Sequence, residues 1–194
     1  MTASKHQPYK IRGINIARAM RVQKLLARKV STTDLGGEVR KVAGVDVSYP
    51  REEKALACLV VYDLRSGNVT EVVCTLCDVR VPYIPGFLAF RELKPMLMAV
   101  RKASFDVIIV NGCGVNHPRR LGLASHLGVA ANVRSIGVTK KSLIRGGVLE
   151  RRRGYMVRVV ENRAIEAILK AKTGGQLVVG VGHGLSLETA VSIV

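Results

Sequence analysis

The stretch "FDVIIVNGCGVNHPRRLGLASHLG" (residues 105–128) decides the fold. Its first six residues are an almost unbroken apolar run, as expected of a strand covered on both faces. A glycine-rich turn follows, and "RLGLASHLG" starts a short helix. A strand that turns on glycine into a helix is the repeating unit of an α/β sheet, whose sites gather at the carboxyl ends of strands. Here that end lifts Asn111, His117, Arg119 and Arg120 off the strand. Acid or base chemistry beside phosphate is one use for such a set. A tightly built loop is the other, since Asn-Gly is a common turn dipeptide and a loop histidine often bonds to backbone.

Upstream, "INIARAMRVQKLLARKV" places Ile14, Ala17, Val22, Leu25 and Leu26 on one helical stripe and interleaves Arg18, Arg21, Lys24 and Arg28, an amphipathic helix with a basic face. "EVRKVAGVDVSYP", "KALACLVVYDL" and "NVTEVVCTLCDVRV" read as three strands of a meander, the last two joined by an "RSGN" turn. The loop "VPYIPG" leads into a helical pattern, "FLAFRELKPMLMAVRKA", which Pro95 should kink or split after Glu92 or Leu93. Downstream, "NVRSIGV", "GYMVRVV" and "QLVVGVG" are β-rich, and Ser186 and Glu188 suit the start of a last helix. The pattern predicts a mixed α/β sheet with helices on its faces, in one domain spanning residues 1–194.

With 31 Lys and Arg against 14 Asp and Glu, the formal charge of +17 points to a phosphate-rich partner, nucleic acid first, or else to a generally basic wet surface. The polar N-terminus carries no secretory leader, and no apolar run approaches the roughly 20 residues of a membrane span. A cytoplasmic, membrane-free protein with reduced thiols is expected. The spacing "CTLC" lacks the second pair a zinc site needs, so Cys74 and Cys77 read as packed strand residues.

Asp46 sits between Val45 and Val47 in an apolar strand, where a desolvated carboxylate needs a partner or a metal. Alternatively, strand alternation turns it to the wet face. Asp46, Asn111 and a helix-borne Glu92 together are the oxygen donors that Mg²⁺ prefers, with Mn²⁺ as a substitute. In phosphodiester hydrolysis such an ion activates water while a nearby His or Lys manages protons or charge.

The blocks "GVDVSY", "PYIPGFLAFRE", "NGCGVNHPRRLGLASHLG", "IGVTKKSL" and "VGHGLSLETA" resemble, in order, the signature blocks of the endonuclease V family of inosine-directed nucleases. The resemblance implies a ribonuclease-H-like mixed sheet flanked by helices. It implies cleavage of the second phosphodiester bond 3′ to a deaminated purine, leaving 5′-phosphate and 3′-hydroxyl ends. It assigns Asp46, Glu92 and the position of Asn111 to the metal, makes His117 and Lys140 catalytic auxiliaries, and puts His183 close to that centre. Pro82, Tyr83, Ile84 and Pro85 fall on the family's strand-separating wedge, whose prolines stiffen the loop so that an aromatic can enter where a base has left. Gly112, Gly114 and Gly137 would let main-chain groups approach the flipped base, and Arg119 and Arg120 would be accessory phosphate contacts.

The family pattern has aspartate where this chain has Asn111. An amide keeps a carbonyl oxygen for a cation but removes a negative charge, so activity should fall while nucleic-acid binding need not. Three origins fit: an introduced Asp-to-Asn change of the kind used to trap uncut substrate, a natural chain that binds without cutting, or a natural enzyme of reduced activity. Deamidation at Asn111-Gly112 would regenerate some aspartate. The partner is DNA containing deoxyinosine, or RNA containing inosine, and a monomer suffices. Two rivals remain: a non-catalytic inosine- or branch-binding protein on the same scaffold, and a basic RNA-binding protein indifferent to inosine.

Overall fold

The computed structural model describes residues 10–11, 14–172 and 174–194. Most of the polar N-terminal stretch read above lies outside the described residues. β1 (Lys10–Ile11) and β2 (Ile14–Asn15) form a two-stranded ribbon leading into α1 (Ile16–Ala27), where the Asn15 side chain accepts a hydrogen bond from the Arg18 amide as the N-cap. The buried stripe of α1 is not the one the apolar pattern suggests. Ala19 and Gln23 are buried, whereas Leu25 is 61% exposed.

The predicted meander is β3 (Lys41–Arg51), β4 (Lys54–Asp63) and β5 (Asn68–Asp78), all antiparallel neighbours. In β4, Ala55, Ala57, Leu59 and Val61 alternate inward against α2 (Ala89–Val100), the two-residue period of a half-covered strand. β6 (Val107–Asn111) pairs in parallel with β3 and with β7 (Arg134–Thr139), with α3 (Leu123–Ala131) crossing between them. The sheet continues through β8 (Val148–Arg152), β9 (Tyr155–Val160), β10 (Arg163–Lys170) and β11 (Gln176–His183), and α4 (Leu187–Ile193) closes the chain. Its order is β5-β4-β3-β6-β7-β11-β10-β9-β8, a nine-stranded mixed sheet. No helix among the described residues is long and apolar enough to cross a membrane.

Three expectations need correction. Pro95 does not split its helix: α2 runs through it, held by packing against β3, β4, β5 and α3, and the Pro95 carbonyl accepts a hydrogen bond from Thr75 Oγ1. The thiols are not all reduced. Cys58 and Cys74 oppose each other across β4 and β5 and are disulfide-bonded, while Cys77 and Cys113 are free. Cys74 and Cys77, three apart on one strand, face opposite sides and cannot act as a pair. β8 and β10 were not anticipated.

The turn after β6 lies backbone to backbone on β7 and β11. A Cβ on Gly114 would sit 1.9 Å from the Val181 carbonyl oxygen, and one on Gly137 would sit 2.5 Å from the Gly112 carbonyl oxygen. Gly114→Ala should therefore lower stability by about 3 kcal/mol, read as a shift in urea midpoint. An unchanged midpoint would contradict this close approach.

Candidate active site

Pairing of Val45 with Val110 in the parallel β3 and β6 sets Asp46 beside Asn111 at the carboxyl ends of their strands. Asp46 is exposed, so alternation has turned it to the wet face instead of burying it. Asp46 Oδ1 accepts a hydrogen bond from the Val47 amide at 2.9 Å. The Asn111 amide nitrogen approaches both Asp46 oxygens at 3.4 Å, where an aspartate would bring a second charge instead. Glu92 comes from the first turn of α2 and is 7% exposed. Burial, and to a lesser extent the Asp46 charge, raises its carboxyl above the ordinary range, against the pull of a hydrogen bond from Tyr49.

Tyr49 is a site residue that the sequence did not single out. Its hydroxyl donates to Glu92 Oε1 at 2.8 Å, and the Arg91 guanidinium lies 4.2 Å from its ring centroid. Arg91 also binds the Val81 carbonyl, at the entrance to the proline-framed loop. Desolvation and the Glu92 carboxylate push the Tyr49 hydroxyl upward, so it stays a donor. An odd spacing from Asp46 argues against a shared site, but the β3–β4 register shifts between Ser48 and Arg51 and redirects the strand.

Asp46, Glu92 and Asn111 open into one cleft of about 490 Å³ that also takes in Gln23, Tyr83, Pro85, Gly86, His117, Lys141 and the apolar Leu88, Leu121 and Leu123, with Tyr49 behind Glu92 and outside the lining. Tyr83 is 67% exposed, so it projects from its loop instead of packing. His117 is 2% exposed, and both ring nitrogens are engaged. Nδ1 accepts from the Arg119 amide at 3.1 Å, which leaves Nε2–H to donate to the Gly86 carbonyl at 3.1 Å. Burial, with the Arg119 charge beside it, pushes the His117 pKa down to about 4.

Other expected members are elsewhere. Of the three glycines assigned to a base pocket only Gly112 lines the cleft, while Gly114 and Gly137 are consumed by backbone packing. Lys140 is exposed just beyond β7, and the neighbouring Lys141 is the lysine that lines the cleft. Arg120, in a left-handed turn (φ 57°), reaches toward Glu161. His183 is far from the centre: β11 runs antiparallel to β7, so His183 pairs with Ser135 at the opposite end of the sheet, and its Nδ1 accepts from the Ser31 amide.

The donor set of Asp46, Glu92 and the Asn111 carbonyl oxygen is all oxygen, which suits a hard divalent cation, with two carboxylates where three would hold it more tightly. Among the described residues no group of three His, Cys, Asp or Glu side chains stands ready to hold a metal.

A sequence profile described as Endonuclease V matches residues 24–194. The chain belongs to the endonuclease V family. Endonuclease V of Methanopyrus kandleri is 42% identical over 174 residues, which span 88% of this chain and 75% of that protein. Endonuclease V of Dictyoglomus thermophilum is 37% identical over 182 residues, 90% of this chain and 78% of that protein. Among solved structures, Ciona intestinalis endonuclease V in complex with a 24-mer DNA containing an inosine followed by a ribo-adenosine superposes with a TM-score of 0.81 at 30% identity, covering 92% of this chain and 87% of that one. Membership makes the chain a nuclease, a phosphodiester hydrolase, and its ribonuclease-H-like sheet is the family fold.

Two outcomes follow for the family scaffold. Burial holds His117 and His126 near a pKa of about 4, below the ordinary histidine value of 6.5, so the unfolded chain binds more protons between those limits. The stability this contributes is complete above pH 6.5 and is lost as pH falls toward about 4. Unfolding free energies from urea titrations at pH 7 and pH 5 should differ by on the order of 4 kcal/mol, about half from each histidine, and His126→Phe should roughly halve the difference. Deamidation at Asn111 requires attack by the Gly112 nitrogen, but that N–H is bonded to the Val138 carbonyl at 3.1 Å. Mass spectrometry of aged samples should find this peptide converting more slowly in the folded chain than in urea.

Proposed function

We propose that this chain is the scaffold of a metal-dependent endonuclease that acts on DNA carrying a deaminated purine, hypoxanthine above all. It cuts the second phosphodiester bond on the 3′ side, leaving 5′-phosphate and 3′-hydroxyl ends. The observation that carries this reading is a single cleft that joins an exposed, proline-framed Tyr83, an apolar recess and the Asp46, Glu92 and Asn111 donors. The inosine-bearing DNA held by the Ciona protein supports the substrate class.

Base extrusion costs least at a weakly paired lesion, and the Tyr83 ring occupies the gap it leaves. Leu88, Leu121 and Leu123 provide apolar walls for the extruded base, and the Gly112 backbone lies among them without a side chain. Asp46, Glu92 and the Asn111 oxygen would hold Mg²⁺, or Mn²⁺ in its place. The bound ion would lower the pKa of the attacking water and offset charge on the departing oxygen. Tyr49 fixes the orientation of the Glu92 carboxylate. His117 is neutral, keeps its proton at Nε2 and organises the cleft wall. Lys140 and Lys141 bring positive charge to the phosphate.

Asn111 weakens the chemistry by removing one of the site's negative charges, for which a loss on the order of 10² to 10³ in rate is expected by comparison with other electrostatic contributors. A second reading, an inosine-binding protein that does not cut, is favoured by one contact, the Asn111 amide turned toward both Asp46 oxygens.

A labelled duplex with one deoxyinosine separates the two. With Mg²⁺, Asn111→Asp should cut at least about 10²-fold faster than the chain as given, and EDTA should abolish cutting by both. If neither form cuts while both retain the inosine duplex over a plain one, the binding reading replaces the nuclease reading. Cleavage of inosine-containing RNA in the same assay sets the preference between the two polymers.

A further inference from the structure

We propose that Gln23, with His117 and Arg119, fixes the cleavage register by clamping the Gly86 carbonyl, which holds the Tyr83 loop at a set distance from the cutting centre. The proposal rests on the reading of Tyr83 as the group that enters the duplex.

A carbonyl oxygen offers two lone pairs, yet three donors converge on Gly86. Gln23 Nε2 lies at 3.0 Å, His117 Nε2 at 3.1 Å and Arg119 Nη2 at 2.6 Å. Gln23 is 1% exposed, and a buried amide left unpaired would be costly, so both of its N–H donors and its oxygen are engaged. Its nitrogen also donates to the Leu121 carbonyl at 3.3 Å, and its oxygen accepts from Arg119 Nε. The Arg119 guanidinium lies 4.4 Å from the Phe87 ring centroid, just past the clamped carbonyl. Glycine suits position 86 because its φ is +78°, and a Cβ there would sit 2.9 Å from Arg119 Nη2 and push the guanidinium off the carbonyl.

The origin of the donors gives the clamp its meaning. Gln23 comes from α1, whereas His117 and Arg119 come from the turn that begins at Asn111. The Tyr83 loop is therefore referenced to the turn carrying the metal-site donor, not only to the strand that precedes it. Pro85 stiffens the span between Tyr83 and the clamp, and Pro82 fixes the backbone on the other side of Tyr83. Successive phosphates on one strand are about 3.4 Å apart along the duplex axis. A misplacement of about 1 Å costs on the order of 10²-fold at the intended bond. A loose loop would consequently lose the preferred bond and admit its neighbours.

The test uses the Asn111→Asp form with Mg²⁺ on an end-labelled duplex containing one deoxyinosine, with products mapped to single-nucleotide resolution. Gln23→Met removes every polar contact of that side chain. Gln23→Glu keeps the acceptor for Arg119 but replaces the donors to Gly86 and Leu121 with an oxygen that repels both carbonyls. In both, products from neighbouring bonds should rise about tenfold relative to the main product. A lower overall rate with an unchanged product ratio overturns the proposal, because a merely structural residue would act that way. Should Gln23→Met melt below the assay temperature, Gln23→Glu and Arg119→Lys carry the same readout, since lysine lacks the rigid fork whose Nε and Nη2 reach Gln23 and Gly86 separately. If Asn111→Asp itself makes no cut at inosine, the proposed function falls and the register proposal falls with it. If it cuts at one bond and all three variants keep that single product, only the register proposal falls.

Discussion

The approach of three backbones at the end of β6 sets the terms for everything around the cleft. With no side chains at Gly114 and Gly137, the turn after Asn111 settles on β7 and β11, the Gly114 amide donates to Asn116 Oδ1, and the Val115 amide donates to the Val181 carbonyl. A turn pinned on that side can project Asn111 and His117 only on the other. Two of the glycines that resemble base-recognition positions thus act one step earlier. They decide where the recognition surface is.

Charge then decides what the surface does. Asp46 is open to water and Glu92 is buried, and burial, with the Asp46 charge as a lesser cause, raises the Glu92 carboxyl above its ordinary range. An aspartate at position 111 would crowd a third charge beside them and make the site depend on a cation. Asn111 instead adds no charge and turns its amide N–H toward the Asp46 oxygens. An amide at this position therefore brings less repulsion than an aspartate would, both within the site and toward phosphate.

The fold was legible wherever local pattern and tertiary context agree. The apolar run before Asn111, the meander and the Ser186 cap are of this kind. Context overrode pattern elsewhere. "RAIEAILK" combines strong helix formers, yet it is β10, because pairing with β9 and β11 satisfies its backbone. Gln23 interrupts an apolar stripe and looks like a wet residue, but its three partners lie 63 to 98 residues away in sequence. Asp46, Glu92, Asn111 and Tyr83 converge on the cleft because short motifs at strand and helix ends fix their positions. His183 belongs to an equally recognisable block, but the antiparallel direction of β11, which no local pattern announces, carries it to the far end of the sheet.

Glu166 shows how the pinned turn is supported from beneath. Its carboxylate is fully buried in the middle of β10, where it accepts from Asn116 Nδ2 at 3.1 Å and from Arg158 Nε at 2.7 Å. Arg158 also donates to the Gly146 carbonyl, in the loop that carries Lys141 and Leu143 to the cleft. Burying such a pair gains little net stability, but losing either partner leaves a costly unpaired charge. The pair is better understood as a device for specificity of position. It joins the turn bearing Asn111 to the lysine-bearing loop through a single carboxylate, so that the two walls of the cleft cannot move independently without exposing or orphaning Glu166.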